Sequence, residues 1–198
     1  RWCAALLRHY AIEGRTDMLS DKYGFTFASE YLKNGDFETD LKLWTVSGKV
    51  TTASTEGFGR TIGKRWLAAS GVGDHYAVLE ASGQISQIAT GLTPGRYYAL
   101  HYVFADADDP MAKNGLPIAV KLEAAVTGGE VSPDFSYQSL AFAPPPNMPF
   151  TTPKANSGRI VFKASAATAA VTFANPSDAS RRVLLNGVSL QPYFYPQD

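Results

Sequence analysis

The sequence predicts an all-β sandwich, and three features of the chain point to that fold. From about Glu30 onward, short apolar stretches alternate with Gly, Pro, Asn and Asp, a spacing typical of antiparallel strands joined by turns. One stretch, Arg96–Ala105, alternates strongly in hydrophobicity along its length. The linker from Ala143 to Ser157 carries five prolines, which cannot donate to a sheet and therefore indicate a surface loop or an edge crossing.

Residues 1–29 differ from the rest of the chain, because their apolar side chains recur at helical spacing. A lone helix of this length is marginal in water, so its apolar face needs a partner. The partner is either the domain that follows or a preceding domain of which this helix is the last piece, and we favour the second. Since the chain opens on Arg1-Trp2-Cys3 without Met, we expect it to be part of a longer protein.

The expected organisation therefore has three parts: a helical extension or domain remnant at 1–29, a sandwich at 30–192 and a tail at 193–198. The predicted strands of the sandwich, in chain order, are Leu43–Ala53, Lys64–Ala69, His75–Ala81, Gln84–Ala89, Arg96–Ala105, Ile118–Thr127, Ser136–Phe142, Arg159–Phe162, Ala167–Asn175 and Arg182–Gln191.

The strand Arg96–Ala105 follows a Pro-Gly pair that predicts a type II turn, with Pro94 at its first central position and Gly95 at its second. Alternation then divides the strand into two faces. The core face is expected to hold Tyr98, Leu100, Tyr102 and Phe104. The opposite face is expected to hold Tyr97, Ala99, His101 and Val103. A tyrosine and a histidine on an outward face direct the search for function to that face.

Composition excludes several classes of function. With 198 residues, of which 45% are hydrophobic, the chain can bury a real core. Eighteen basic residues balance eighteen acidic ones, so we expect neither nucleic acid nor a membrane as partner. A single cysteine, Cys3, and three histidines without a CxxC pair argue against disulfide, redox and zinc chemistry.

The motif Asn34-Gly35-Asp36-Phe37-Glu38, followed by Leu43-Trp44-Thr45, resembles the opening of the carbohydrate-binding modules of the xylan- and cellulose-binding (CenC-like) type. Further blocks fit that pattern in the same order: Ile85-Ser86-Gln87, the turn and strand Leu92–Tyr98, and the closing Val183–Leu190. The resemblance spans about Leu32 to Pro192. These modules are jelly-roll sandwiches of the galactose-binding-domain-like superfamily, so the resemblance implies that fold.

The resemblance also implies a function: a non-catalytic module of a larger, secreted glycoside hydrolase, extracellular or periplasmic, that binds a soluble polysaccharide or oligosaccharide on one sheet face. Its partners would be the glycan and the catalytic domain of the parent enzyme. One alternative is a structural or interdomain-packing sandwich that binds no glycan. A small enzyme is the other, but no nucleophile, phosphate-loop or metal motif supports catalysis.

Family members commonly hold a structural calcium between the glutamate of the opening motif and one of two aspartates near the end of the domain. The matching positions here are Glu38, Asn186 and Gly187, so the resemblance implies at most a weak Ca²⁺ site at Glu38 and Asn186. The alternative is that Glu38 only fixes the start of the domain by hydrogen bonds.

A glycan site needs aromatic rings for stacking and polar side chains for hydroxyl groups. If the predicted strands that carry them share one sheet, the outward residues merge into a surface of Tyr76, Glu80, Tyr97, His101, Lys121 and Glu123. Trp66 is a further stacking candidate, although a buried tryptophan is as common. The alternative for the whole set is an ordinary solvated sheet face.

Other residues are weaker candidates for a functional role. Trp44 is expected in the core, and Tyr137 and Phe150 are weaker binding candidates. The carboxylates of Asp106, Asp108 and Asp109 could serve a cation, but a solvated turn is the simpler interpretation. Glu80 and Glu123 could act as paired glycosidase carboxylates only at a short, defined separation, which the sequence does not indicate.

Overall fold

The computed structural model describes residues 31–54, 75–108, 120–138 and 156–193. Eleven strands lie in these ranges: β1 Thr45–Ser47, β2 Val50–Ser54, β3 His75–Leu79, β4 Gln84–Thr90, β5 Tyr97–Asp106, β6 Glu123–Thr127, β7 Gly129–Val131, β8 Tyr137–Gln138, β9 Asn156–Ala164, β10 Thr168–Ala174 and β11 Val183–Pro192. A 3-10 helix covers Pro133–Phe135.

The strands form two antiparallel sheets that pack face to face, which confirms the predicted β-sandwich. The smaller sheet has the order β1-β4-β10-β6. The larger sheet has the order β2-β3-β11-β5-β9-β7, and β8 also pairs with β9. The helical extension, the strand predicted at Lys64–Ala69 and most of the proline-rich linker lie outside the described residues.

Most strands lie where the sequence predicts them, and the main departure is the first one. The predicted single strand Leu43–Ala53 is two strands, β1 in the smaller sheet and β2 in the larger. Gly48, with φ +69°, separates them, and a Cβ there would lie 2.3 Å from the Ser82 carbonyl oxygen. The chain therefore turns from one sheet to the other at a position that only glycine fits.

The core lies between the two sheets and is built from the face of β5 that alternation predicts. Tyr98, Leu100, Tyr102 and Phe104 are all buried. The Tyr102 ring meets Phe173 of β10 edge to face, with ring centroids 5.1 Å apart. Phe173 therefore connects the smaller sheet to the centre of the larger one.

The turn before β5 has the predicted type II form. The Arg96 amide donates to the Thr93 carbonyl at 3.1 Å, and Gly95 has φ +84°. The Gly95 amide also donates to Ala164 at the end of β9, at 2.7 Å. This turn consequently fixes where β5 begins and how it aligns with β9.

The two ends of the domain meet at a bulge in β11. The register of β11 against β5 shifts between Asn186 and Ser189, where Gly187 has φ +59°. The Val188 amide donates to the Gly35 carbonyl at 2.9 Å, and a Cβ on Gly35 would lie 1.8 Å from the Val188 oxygen. The first and last blocks of the family-like pattern are thus in direct contact.

Candidate functional site

The outer face of the larger sheet brings aromatic and cationic side chains together across β5 and β9. Tyr97 lies opposite Lys163, and His101 lies opposite Arg159. Tyr137 of β8 lies opposite Arg159 on its other side. Directly opposed residues of antiparallel strands share a face, so these side chains form one surface. We name it the β5–β9 face and define it by Tyr97, His101, Tyr137, Arg159, Lys163 and Tyr193.

Arg159 is the best-anchored side chain of the β5–β9 face. Its Nε donates to the Phe135 carbonyl at 2.8 Å. The guanidinium carbon lies 5.0 Å from the centroid of the Tyr137 ring and 5.6 Å from that of Tyr193, both within the range of cation–π attraction. Two tyrosines and one backbone carbonyl therefore hold the guanidinium in a defined place.

A second cation–aromatic pair lies at the start of β5. The Lys163 ammonium is 5.8 Å from the centroid of the Tyr97 ring. The backbone amide of Tyr193 donates to the Tyr97 carbonyl at 2.8 Å, which places the end of β11 beside this pair. The β5–β9 face thus repeats one chemical unit twice, a cation next to a tyrosine.

His101 lies between Arg159 on β9 and Ser189 on β11, and its side chain is partly buried. Burial, and then the positive charge of Arg159, lower the pKa of His101 below its ordinary value of 6.5. The imidazole is therefore neutral at pH 7, with one nitrogen that donates and one that accepts hydrogen bonds.

Together these groups suit a ligand that has both apolar faces and hydroxyl groups. The Tyr137 ring is 48% exposed although one of its faces lies against the Arg159 guanidinium. Aromatic faces attract C–H groups, while imidazole, ammonium and guanidinium groups bond to oxygen atoms.

The structure corrects the expected exposure of Tyr76. Tyr76 points away from the main core, as predicted, but it is only 2% exposed and packs with Val78, Ala107 and Leu184 in a second apolar cluster. Its hydroxyl donates to the Ser54 carbonyl at 3.3 Å, and burial raises its pKa to about 12. The Tyr76 ring is therefore not part of an open surface.

Glu80 and Trp66 are not joined to the β5–β9 face. Glu80 follows β3, which is separated from β5 by β11, and its carboxylate pairs with Lys49 at 2.8 Å. Trp66 lies outside the described residues. Of the predicted set, the structure keeps Tyr97 and His101 together.

Glu123 lies on the opposite side of the sandwich, which corrects the expectation of one merged surface. It begins β6, which pairs with β10 in the smaller sheet, whereas Lys121 lies before that strand. Leu122 and Val126 face the core as predicted, and Lys121 and Glu123 are exposed. Alternation predicts the face of a strand correctly, but it does not say which sheet the strand joins. Glu80 and Glu123 accordingly belong to different sheets.

The two residues considered for calcium, Glu38 and Asn186, both form hydrogen bonds with His75. The Glu38 carboxylate accepts from the His75 amide at 3.1 Å and contacts its ring Nδ1 at 3.1 Å. The Asn186 side chain donates to the His75 carbonyl at 2.8 Å and accepts from the Gly187 amide at 2.7 Å. Calcium takes six to eight oxygen ligands, and within the described ranges no three His, Cys, Asp or Glu residues cluster as a metal site. These described residues alone therefore do not fit a calcium shell.

The interpretation of a solvated turn at the acidic cluster is wrong for Asp106, whereas Asp108 is exposed. Asp106 is 3% exposed and forms an ion pair with Arg181. Asp108 bonds to Arg182, whose Nε donates at 2.7 Å, and this hydrogen bond lowers the pKa of the Asp108 carboxyl. Both carboxylates thus fasten β5 to the segment before β11. Asp109 lies outside the described residues.

Sequence reasoning did not include Arg159, Lys163 and Tyr193, and it named Tyr137 only as a weaker candidate. A signal was present, because Arg159 and Lys163 lie four residues apart on the face of β9 opposite the buried Phe162. Their closeness to Tyr97 and His101 depends on the pairing of β5 with β9, over a separation of about sixty residues, which alternation does not reveal.

No protein-family model and no curated protein sequence matches the chain. Solved structures are similar to it at low identity. A domain of the bacteriophage CBA120 tailspike protein 4, described as enzymatically active, matches with a TM-score of 0.52 and 14% identity over 85% of this chain and 22% of that chain. TmCBM61 in complex with β-1,4-galactotriose matches with a TM-score of 0.48 and 15% identity over 84% of this chain and 100% of that one.

A Stig cyclase from Fischerella sp. TAU matches with a TM-score of 0.47 and 16% identity, over 84% of this chain and 98% of the cyclase. The similar structures thus include both carbohydrate-binding modules and enzymes. The tailspike match shows the fold alone, and the present chain spans about a fifth of that protein's chain. Within the described residues, no helix has the length and hydrophobicity needed to cross a membrane.

Proposed function

We propose that the chain is a non-catalytic carbohydrate-binding module that binds a soluble glycan chain on the β5–β9 face. One observation carries the proposal: tyrosine rings and hydrogen-bonding side chains lie side by side on the outer face of one sheet. A pyranose offers C–H groups to a ring face and hydroxyls to neighbouring polar groups, so this combination matches its chemistry. The family-like pattern from Asn34 to Leu190 supports the same function.

The proposal includes a parent protein. By its resemblance to modules of glycoside hydrolases, the chain would be the accessory module of a larger, secreted enzyme whose catalytic domain lies elsewhere. The enzyme would act on the glycan that the module holds. Outside that context the module would bind weakly, in the range of about μM to mM, because ordering a flexible sugar chain offsets most of the contact energy.

The first test is calorimetric titration of the chain with xylo-, gluco-, manno- and galacto-oligosaccharides at millimolar ligand. We expect heat with at least one of them. His101→Ala should weaken that binding about fivefold or more, the scale of one lost hydrogen bond, while the melting temperature changes little. Glu123→Ala, at an exposed position of β6 in the smaller sheet, is the control and should leave affinity unchanged.

Two outcomes would overturn the proposal. No heat with any glycan would favour the interdomain-packing alternative, in which this face contacts the parent protein. Unchanged affinity in the His101→Ala variant, together with a large loss of stability, would show that His101 is a packing residue and that the glycan binds elsewhere.

A further inference from the structure

The two cations of the β5–β9 face lack carboxylate partners. No ion pair joins Arg159 or Lys163 to an acidic residue in the described part of the chain. This contrasts with Arg181 and Arg182, which both pair with aspartates. A cation that forms no ion pair with the described residues can bind an anionic ligand.

The sequence around the face gives little negative charge to neutralise these cations. The linker 139–155, which joins β8 to β9, contains Lys154 but no Asp or Glu. Glu130 lies opposite Lys163 on β7 without forming an ion pair, and Asp134 lies in the 3-10 helix; both are solvent-exposed. Exposed single carboxylates contribute little to screening a neighbouring cation in water.

The Arg159 guanidinium is positioned to bind a carboxylate with its outer edge. Its Nε is used by the Phe135 carbonyl, and its two terminal nitrogens have no hydrogen-bond partner among the described residues. The tyrosine rings of Tyr137 and Tyr193 restrict its motion. A held guanidinium binds a planar carboxylate through two parallel N–H groups, which a neutral hydroxyl cannot match.

We propose that the β5–β9 face selects acidic glycans, chains that contain uronic acid residues, with one carboxylate bound by Arg159 and another near Lys163. This inference rests on the proposed glycan-binding function and specifies its ligand class. Arg159 and Lys163 are four residues apart on one face of β9, about 13 Å at 3.3 Å per residue, so one extended chain can pass both.

His101, which lies opposite Arg159 and is partly buried, contributes a neutral hydrogen-bonding group for hydroxyls. Sugar rings would lie against the exposed Tyr137 and the half-buried Tyr97, and carboxylates would project toward the cations. Neighbouring side chains would thus have different roles: the tyrosines stack on sugar rings and the cations bind carboxylates.

The experiment compares each acidic ligand with its own neutral form. The full chain is titrated calorimetrically with trimers of galacturonate, mannuronate and glucuronate, each beside its methyl ester, and with the neutral oligosaccharides named above. We expect at least one acid to bind at least tenfold more tightly than its ester. Charges in solution are screened within about a nanometre at 0.1 M salt. Added NaCl should therefore weaken binding of the acid and leave binding of the ester unchanged.

Variants then locate the preference. Arg159→Gln should remove the preference for the acid, measured as the ratio of the affinities for the acid and its ester. Arg159→Lys should restore this ratio only in part, since an ammonium lacks the planar fork. Lys163→Gln, at an exposed position, serves where an Arg159 variant loses its fold, and should reduce the ratio severalfold. Glu123→Gln, in β6 of the smaller sheet, should leave the ratio unchanged.

The outcomes separate this inference from the proposed function. If neutral glycans or esters bind as tightly as the acids, the inference is overturned while glycan binding stands. If no glycan of either kind binds, both fail. If acids bind but the ratio survives Arg159→Gln and Lys163→Gln equally, the acid preference belongs to another surface and the assignment to this face is overturned.

Discussion

Asp106, the last residue of β5, and Asp108, two residues further on, form similar ion pairs, yet their surroundings differ. Asp106 is 3% exposed, whereas the Asp108 side chain is 40% exposed. Asp106 also accepts from the Asp108 amide at 2.8 Å. Burial therefore makes the first carboxylate much more costly to leave unsatisfied than the second.

We expect Asp106→Asn to lower the free energy of unfolding by about 1–3 kcal/mol, because a buried charged hydrogen bond is lost. Asp108→Asn, the matched control, should cost about 0–1 kcal/mol, the range of exposed ion pairs. Urea denaturation of the three proteins measures both. Equal losses would show that burial of Asp106 has no energetic effect.

His101 makes a prediction about pH. Its folded-state pKa is lowered, so between that pKa and the ordinary 6.5 the unfolded chain binds more protons than the folded one. The free energy of unfolding therefore rises with pH through this window. The stability that His101 contributes is lost as the pH falls from 6.5 through the folded-state pKa. Going from about pH 8 to about pH 5, the native chain should lose more stability than His101→Gln, measured by denaturation at each pH. Identical losses would contradict a neutral, partly buried His101.

At the level of elements, the contact between the opening turn and the β11 bulge closes the domain. The Asn34 side chain donates to the carbonyls of Asp40 and Lys42, both at 2.9 Å, and so shapes the turn that presents Gly35. The bulge in turn leaves the Val188 amide free to bond to Gly35. Two segments far apart in sequence are therefore joined by backbone alone.

Gly35→Ala places a Cβ 1.8 Å from the Val188 oxygen, so backbone must move. We expect a loss of about 3 kcal/mol, at the upper end for overpacking, and a matching fall in melting temperature. Gly91→Ala is the control: it has φ +80° but nothing within 4 Å, so only the left-handed conformation opposes it, at about 1–2 kcal/mol. A smaller loss for Gly35→Ala than for Gly91→Ala would refute the role of this contact.

The Glu38–His75–Asn186 arrangement makes a prediction about metal. Since the Glu38 oxygens and the Asn186 oxygen accept hydrogen bonds within the protein, any stabilising calcium should be weak. Excess EDTA should leave the melting temperature nearly unchanged in a thermal scan. A fall of many degrees that added Ca²⁺ reverses would show a real calcium site.

The elements also show what sequence can and cannot predict. Local patterns were sufficient for the turn at Gly95, for the two faces of β5 and for the burial of Trp44, because each depends on neighbours along the chain. The division of the first strand at Gly48 was missed, since a lone glycine in a strand is compatible with either continuation or a turn.

At the scale of the whole molecule, the same limit explains the candidate site. Tyr97 and His101 became candidates because a tyrosine and a histidine are unusual on the outward face of a strand. Arg159 did not, since its position depends on register with β5 and on Tyr137 and Tyr193 from two other segments. Glu123 was assigned to the right face of its strand and the wrong sheet, which only the pairing of β6 with β10 decides.

The sandwich consequently presents two outer faces that differ in chemistry. The larger sheet carries the β5–β9 face with its tyrosines and two cations that form no ion pair with the described residues. The smaller sheet carries the exposed Glu123 and Ile88, the latter at 64% exposure. Because scattered surface residues of this kind are normal in proteins, the β5–β9 face is the one of these two described faces with the features expected of a binding site.

The most direct test of this account is a backbone-amide NMR titration of the isotopically labelled chain with the tightest-binding oligosaccharide. The account predicts that shifts concentrate on Tyr97, His101, Tyr137, Arg159 and Lys163, and that residues of β6 and β10 stay unchanged. Shifts centred on Lys121, Glu123 and the smaller sheet, or none at saturating ligand, would contradict it.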